Sequence, residues 1–153
     1  MTAFQNDPSS ESIKTLQNKY KTSYLNWQAS SFINFGDGSF DYLASSLNTF
    51  PVNEDKINEF FGKPDDNLEW NSYFDAVGFP GFDYVLFDGD ESDIINRLSD
   101  TAKVYCNKNL DLIKSKSENA YLFWKNNTDG YYNEFKTDNS KTISSAFTKY
   151  VNA

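Results

Sequence analysis

The chain contains no histidine, and in 153 residues it has one cysteine, Cys106. The first absence removes the commonest general base, the commonest nitrogen ligand for transition metals and the usual switch near neutral pH. The second excludes an internal disulfide. A zinc centre would have to be assembled from carboxylates and one thiol, a poor donor set for that ion. Serine is plentiful, but there is no histidine to activate it and no Gly-x-Ser-x-Gly segment, so no hydrolase-type nucleophile is expected. No glycine-rich phosphate loop occurs. No apolar run approaches the length of a membrane span, and no signal peptide is recognisable. Proline and glycine are few and uneven: all four prolines and six of the seven glycines lie at or before Gly89. The rest of the chain is left free to form long helices.

What is abundant is aromatic. Phe (14), Tyr (10) and Trp (3) make up 18% of the residues, enough to build a large apolar core because each ring buries much area. Mean hydropathy is nevertheless −0.67. The formal net charge of −8 repels nucleic-acid phosphates and anionic lipid heads, so no nucleic-acid partner is expected. The length suits one domain, or one half of a larger helical protein. Residues 1–10 are polar and read as a flexible lead-in, or as the new start left by removal of a targeting segment; residues 11–153 read as a single helical-bundle domain.

Helix signals dominate. Asp7-Pro8-Ser9-Ser10-Glu11 is a start signal, and Ile13, Leu16, Tyr20, Tyr24 and Trp27 then recur at steps of three and four, predicting a helix to about Phe32. Phe40 to Leu47 predicts a short helix ended near Asn48 and Pro51. Asn53-Glu54-Asp55 caps another, which carries Ile57, Phe60 and Phe61 and stops at Gly62-Lys63-Pro64. Leu68, Trp70, Tyr73, Phe74 and Val77 must all pack somewhere. Phe82 to Phe87 is apolar enough for a buried strand or a buried helix; Pro80 at a first turn and the lack of a second strand-like run favour helix. Beyond Ser92, Ile95, Leu98, Ala102, Tyr105, Asn109 and Leu112 share one face, as one helix or two, up to a break at Asn126–Gly130. Ile143, Ala146, Phe147, Tyr150 and Val151 mark a last helix whose stripe runs almost to the end, as though the chain continued. The expected fold class is all-α: a bundle of long and short helices with no significant sheet.

Four segments, in order, resemble the imelysin-like family: Tyr20–Gly36 (YKTSYLNWQASSFINFG), Leu47–Pro51 (LNTFP), Gly78–Phe87 (GFPGFDYVLF) and Ser145–Ala153 (SAFTKYVNA). The third, which looks like the family's signature region, is the most specific. The resemblance implies the N-terminal half of a two-bundle protein, exported to the periplasm or outer membrane, often on a lipid anchor carried by the full-length precursor. It also implies the family's peptidase activity and its links to iron regulation and uptake. Iron or haem is a possible cofactor on that ground alone. The chain departs from the family where chemistry would sit. The signature Gly-x-His-x-x-Glu reads Gly78-x-Pro80-x-x-Asp83 here, and proline has neither a ligand atom nor a proton to shuttle. No catalytic residue is therefore assigned, and Asp83 is the only metal-ligand candidate.

Candidate ligand-binding residues are Asp83, Gly78, Pro80, Trp27, Gln28 and Asn34. Asp83 sits in an apolar run and would need a partner if buried; Gly78 and Pro80 shape the backbone around it. Trp27, Gln28, Asn34 and Phe35 could line a pocket with aromatic walls and amide donors, although aromatics at helical spacing also fill cores. Asp88–Asp93 holds four carboxylates without the spacing of a calcium loop and reads as an acidic helix cap. Three functions stay open: a non-catalytic envelope binding or scaffold protein, a metal-dependent peptidase completed by a second half, and a peptide or glycan binder. An apolar junction face predicts pairing with that second half, or self-association.

Overall fold

The computed structural model describes residues 1–30, 43–69, 71–100, 102–138, 140, 142 and 148, with only the backbone of Thr2 and Asn71. Among these the fold is all-α, without a strand. The helices are α1 (Thr2–Asn6), α2 (Ser10–Ser30), α3 (Leu43–Asn48), α4 (Glu54–Phe61), α5 (Gly78–Phe87), α6 (Glu91–Ser99), α7 (Ala102–Lys125) and α8 (Tyr131–Thr137), with single 3-10 turns at Asn71–Tyr73 and Thr128–Gly130. Among the described residues no helix is long and apolar enough to cross a membrane.

The segment that could have been strand or helix is the central helix. α5 buries Gly78, Phe79, Pro80, Gly81, Phe82, Val85 and Leu86 and packs against α2, α3, α4, α6 and α7. A helix that is apolar nearly all round has to be enclosed in this way. α2 lays its predicted stripe along the core: Ile13 is buried, and Leu16, Tyr20, Tyr24 and Trp27 pack beside it. The face running through Leu98, Ala102, Tyr105, Asn109 and Leu112 is also buried, carried on two helices that break around Asp100. Asn53 caps α4 by accepting from the Lys56 amide at 3.1 Å. It also ties α4 to the loop before α5, donating through Nδ2 to the Asp75 carboxylate, which Lys56 Nζ meets at 2.7 Å.

Residues 2–6 are helical, and Phe4, the only large apolar side chain before Ile13 apart from Met1, is 2% exposed. Two expectations change. Phe74 does not pack inward; it is 58% exposed, with the Lys56 ammonium 5.4 Å from its ring centre. α8 follows the break at Asn126–Gly130 directly and buries Tyr131 against Phe123 and Trp124. The helix expected over 143–151 (Thr148 apart), Trp70, and the start of the short helix at Phe40 lie outside the described residues.

One buried polar residue organises the centre. Asn109 is 0% exposed. Its Oδ1 accepts from the Gly78 amide at 2.7 Å and its Nδ2 donates to the Gly78 carbonyl at 3.0 Å. Gly78 has φ +81°, and a Cβ there would lie 2.4 Å from the Leu47 carbonyl oxygen, so only glycine fits. Replacing Asn109 by Ala leaves the buried Gly78 amide without a partner and removes one of the two bonds open to its carbonyl, which keeps its place in the α5 ladder, and we expect a loss of about 2 kcal/mol in urea unfolding. Leu110→Ala, on the exposed face one residue on, should cost far less; equal losses would refute the assignment.

Cys106 lies in the same interior. Burial pushes its thiol up to about 12 from an ordinary value of 9.0. The unfolded thiol ionises near pH 9 while the folded one keeps its proton, so above that pH the unfolded state binds fewer protons and stability falls as pH rises, by up to about 1.4 kcal/mol per unit. A urea midpoint followed from about pH 8 to about pH 10 should fall less steeply in Cys106→Ala than in the parent. Identical slopes would exclude this contribution.

Candidate functional site

The signature positions face a groove of about 590 Å³. From α5 it takes Pro80, Asp83, Tyr84 and Phe87, with Asp88 just beyond; these positions recur along one side of the helix. The opposite wall is Tyr20 and Tyr24 of α2, and the segment from α3 to α4 contributes Asn48, Phe50, Val52 and Glu54. Tyr24 donates to Asn48 Oδ1 at 3.0 Å, and Tyr20 donates to the Phe79 carbonyl at 3.1 Å. Burial, and then the negative charge of Asp83 beside it, push the Tyr20 phenol well above its ordinary range. It is a hydrogen-bond donor here and not a proton source.

Both ends of α5 are fixed from α6 and α7. At its start, Tyr105 OH donates to the Ala76 carbonyl at 2.6 Å, next to the Asn109 pair. At its end, Arg97, the chain's only arginine, donates to the carbonyls of Val85 (2.9 Å) and Asp88 (2.6 Å). A cation satisfying the last carbonyls also suits the helix dipole. The same guanidinium lies over the Tyr84 ring at 5.5 Å and 3.7 Å from the Asp88 carboxylate.

The predicted site residues do not form one constellation. Pro80 and Asp83 share the groove. Gly78 is buried at the helix start and contributes conformation, not a ligand atom. Asp83 is exposed, not enclosed by its apolar neighbours, because it occupies the open side of α5. Trp27 lies in a second groove, stacked on Phe79 at 6.2 Å. Gln28 is exposed and lines neither groove, and Asn34 lies outside the described residues. The residues that position α5, namely Asn109, Tyr105 and Arg97, are not among these candidates. Asn109 falls on the apolar face of α7, and an amide there is itself a signal that a buried partner exists. A lone arginine at a helix end was a second such signal.

Chemically the groove offers the carboxylates of Glu54, Asp83 and Asp88 with aromatic and amide walls. It has acceptors and negative charge, and Pro80 adds no donor. Among the described residues no three His, Cys, Asp or Glu side chains come together as metal ligands. The residues present do not fit a centre of the kind the signature would supply.

The geometry of α5 depends on close approach as well as on hydrogen bonds. A Cβ at Gly81 would lie 2.1 Å from Tyr105 OH. Gly81→Ala should therefore cost about 2–3 kcal/mol by driving the phenol off the Ala76 carbonyl. In Tyr105→Phe the missing oxygen makes room, so the two changes together should cost about 1 kcal/mol less than their sum. Strict additivity in thermal unfolding would show that Gly81 and Tyr105 do not meet.

Compared with known proteins, the chain matches the family model described as Imelysin over residues 1–153. No curated protein and no solved structure matches it.

Proposed function

The chain belongs to the imelysin family, and from that premise we propose that it is a non-catalytic member, a binding or scaffold component of the bacterial cell envelope, exported to the periplasm or outer membrane. The observation that carries the proposal is Pro80. It stands at the signature position of the histidine, on the wall of the groove, in a chain with no histidine to replace it. A metallopeptidase needs nitrogen or oxygen ligands that leave an open position for water, and a base to take its proton. Proline supplies neither. The part in iron or haem acquisition that the resemblance implies is, in this proposal, played through partners and not through a metal centre in this chain.

Elemental analysis after dialysis against ferric, ferrous and zinc salts, run on the chain and on Asp83→Ala, tests the proposal together with a peptidase assay on an unstructured protein substrate. The expected outcome is sub-stoichiometric metal and background hydrolysis in both. A stoichiometric ion, or proteolysis above background, that is lost in Asp83→Ala would overturn the non-catalytic reading and restore a peptidase role with Asp83 as ligand.

A further inference from the structure

The second groove has a different character from the first. It is lined from α2, α7 and α8, with Leu43 of α3 and Phe79 of α5. Its volume of about 700 Å³ falls in the range of small-molecule sites. Trp27 and Phe79 stack with their ring planes 23° apart, and Trp124 and Tyr132 add aromatic lining from α7 and α8. In a chain of net charge −8, not one of the described residues lining this groove is charged. Two neutral polar groups face it with no hydrogen-bond partner among the described residues: the Asn26 amide on α2 and the Ser117 hydroxyl on α7.

We propose that this groove is a binding site for a neutral, planar aromatic small molecule carrying a single hydrogen-bonding group. Flat rings on the walls favour stacked or edge-on aromatic partners over branched aliphatic ones. A charged ligand would lose its hydration without meeting an opposite charge, which is costly. Asn26 and Ser117 can each exchange a hydrogen bond with one polar substituent at the rim, which fixes orientation without requiring charge. The site is separate from the groove of Pro80 and Asp83, and among the described residues the two have no lining residue in common.

The test uses two probes that share one skeleton. N-phenyl-1-naphthylamine is neutral, and 8-anilino-1-naphthalenesulfonate is the same diarylamine with a sulfonate added. Because Trp27 and Trp124 line the groove, binding is read as energy transfer from tryptophan to the probe. The neutral probe should bind saturably at one site per chain, with a dissociation constant on the order of 10 μM, and the sulfonate at least about tenfold more weakly. Ser23→Phe and Ser117→Phe, which fill the groove from opposite walls at exposed helix positions, should each weaken the neutral probe about tenfold while leaving the far-ultraviolet circular dichroism unchanged. Asp83→Ala, which alters only the other groove, should change neither probe, so this site and the non-catalytic reading stand or fall separately. Non-saturable binding, equal affinity for the two probes, or indifference to both phenylalanine substitutions would overturn the proposal.

Discussion

The fold hangs on a pair of hydrogen bonds between one side chain and one backbone unit. The first amide of α5 belongs to Gly78 and is buried where neither water nor a preceding helical turn can satisfy it, and the Gly78 carbonyl is buried beside it. Asn109 meets both from α7. Because the glycine is in a left-handed conformation with the Leu47 backbone against it, no other residue can start the helix at this point. Tyr105, one turn before Asn109 on α7, holds the Ala76 carbonyl in the same way. A fully satisfied buried polar network of this kind is worth more for uniqueness than for net stability, since misplacing any member leaves an orphan in a low dielectric. α3, α5 and α7 are thereby registered against one another, and α2, α4 and α6 pack on the result.

That anchoring explains why the signature segment keeps its helical shape with Pro80 and Asp83 at two of its positions. The third residue of a helix has no intrahelical acceptor for its amide, so proline at that place forfeits nothing, and its fixed φ suits the first turn. Pro80 is buried as an apolar filler. Asp83, one turn on, faces outward, so shortening the signature's glutamate by a methylene disturbs no packing. The backbone constraints at Gly78 and Gly81 come from α3 and α7, and they hold whether or not a catalytic group stands between them.

Legibility from sequence followed the physics of each element. The α2 stripe and the Leu98-to-Leu112 face were readable because burial on a helix imposes its period on apolar residues. The Asn53 cap and the break at Asn126–Gly130 were readable because those residue types satisfy or interrupt backbone bonds locally; Asn127, Asp129 and Gly130 all adopt positive φ there. Three things had no local signature. Phe4 is buried because the turn at Asp7 returns α1 to the core, which composition cannot show. Phe74 is exposed although it sits between the buried Tyr73 and Ala76, because a 3-10 turn and a loop carry no fixed period. The meeting of Asn109 with Gly78 joins positions 31 residues apart, and nothing in either neighbourhood names the other. The candidate site was half legible for the same reason: Pro80 and Asp83 share a groove because they are three apart on one helix, whereas grouping Trp27 with Gln28 and Asn34 relied on nearness in sequence, and the helix period turned Gln28 away.

The same period divides the two grooves. Tyr20, Tyr24 and Trp27 descend one stripe of α2, and the Phe79 ring meets all three, with centres 6.3, 5.2 and 6.2 Å away. The two tyrosines turn their hydroxyls toward the carboxylate-bearing side, where Tyr24 finds Asn48 and Tyr20 the Phe79 carbonyl. Trp27 instead faces the uncharged side. Phe79 is therefore a partition: its backbone carbonyl accepts from Tyr20 on the polar side and its ring lines the apolar groove. Its position is dictated by Gly78 immediately before it, so the constraint that starts α5 also keeps the two sites chemically distinct. A bundle this small gains two grooves of opposite character from one residue because the helix start is held too tightly for that ring to sit elsewhere.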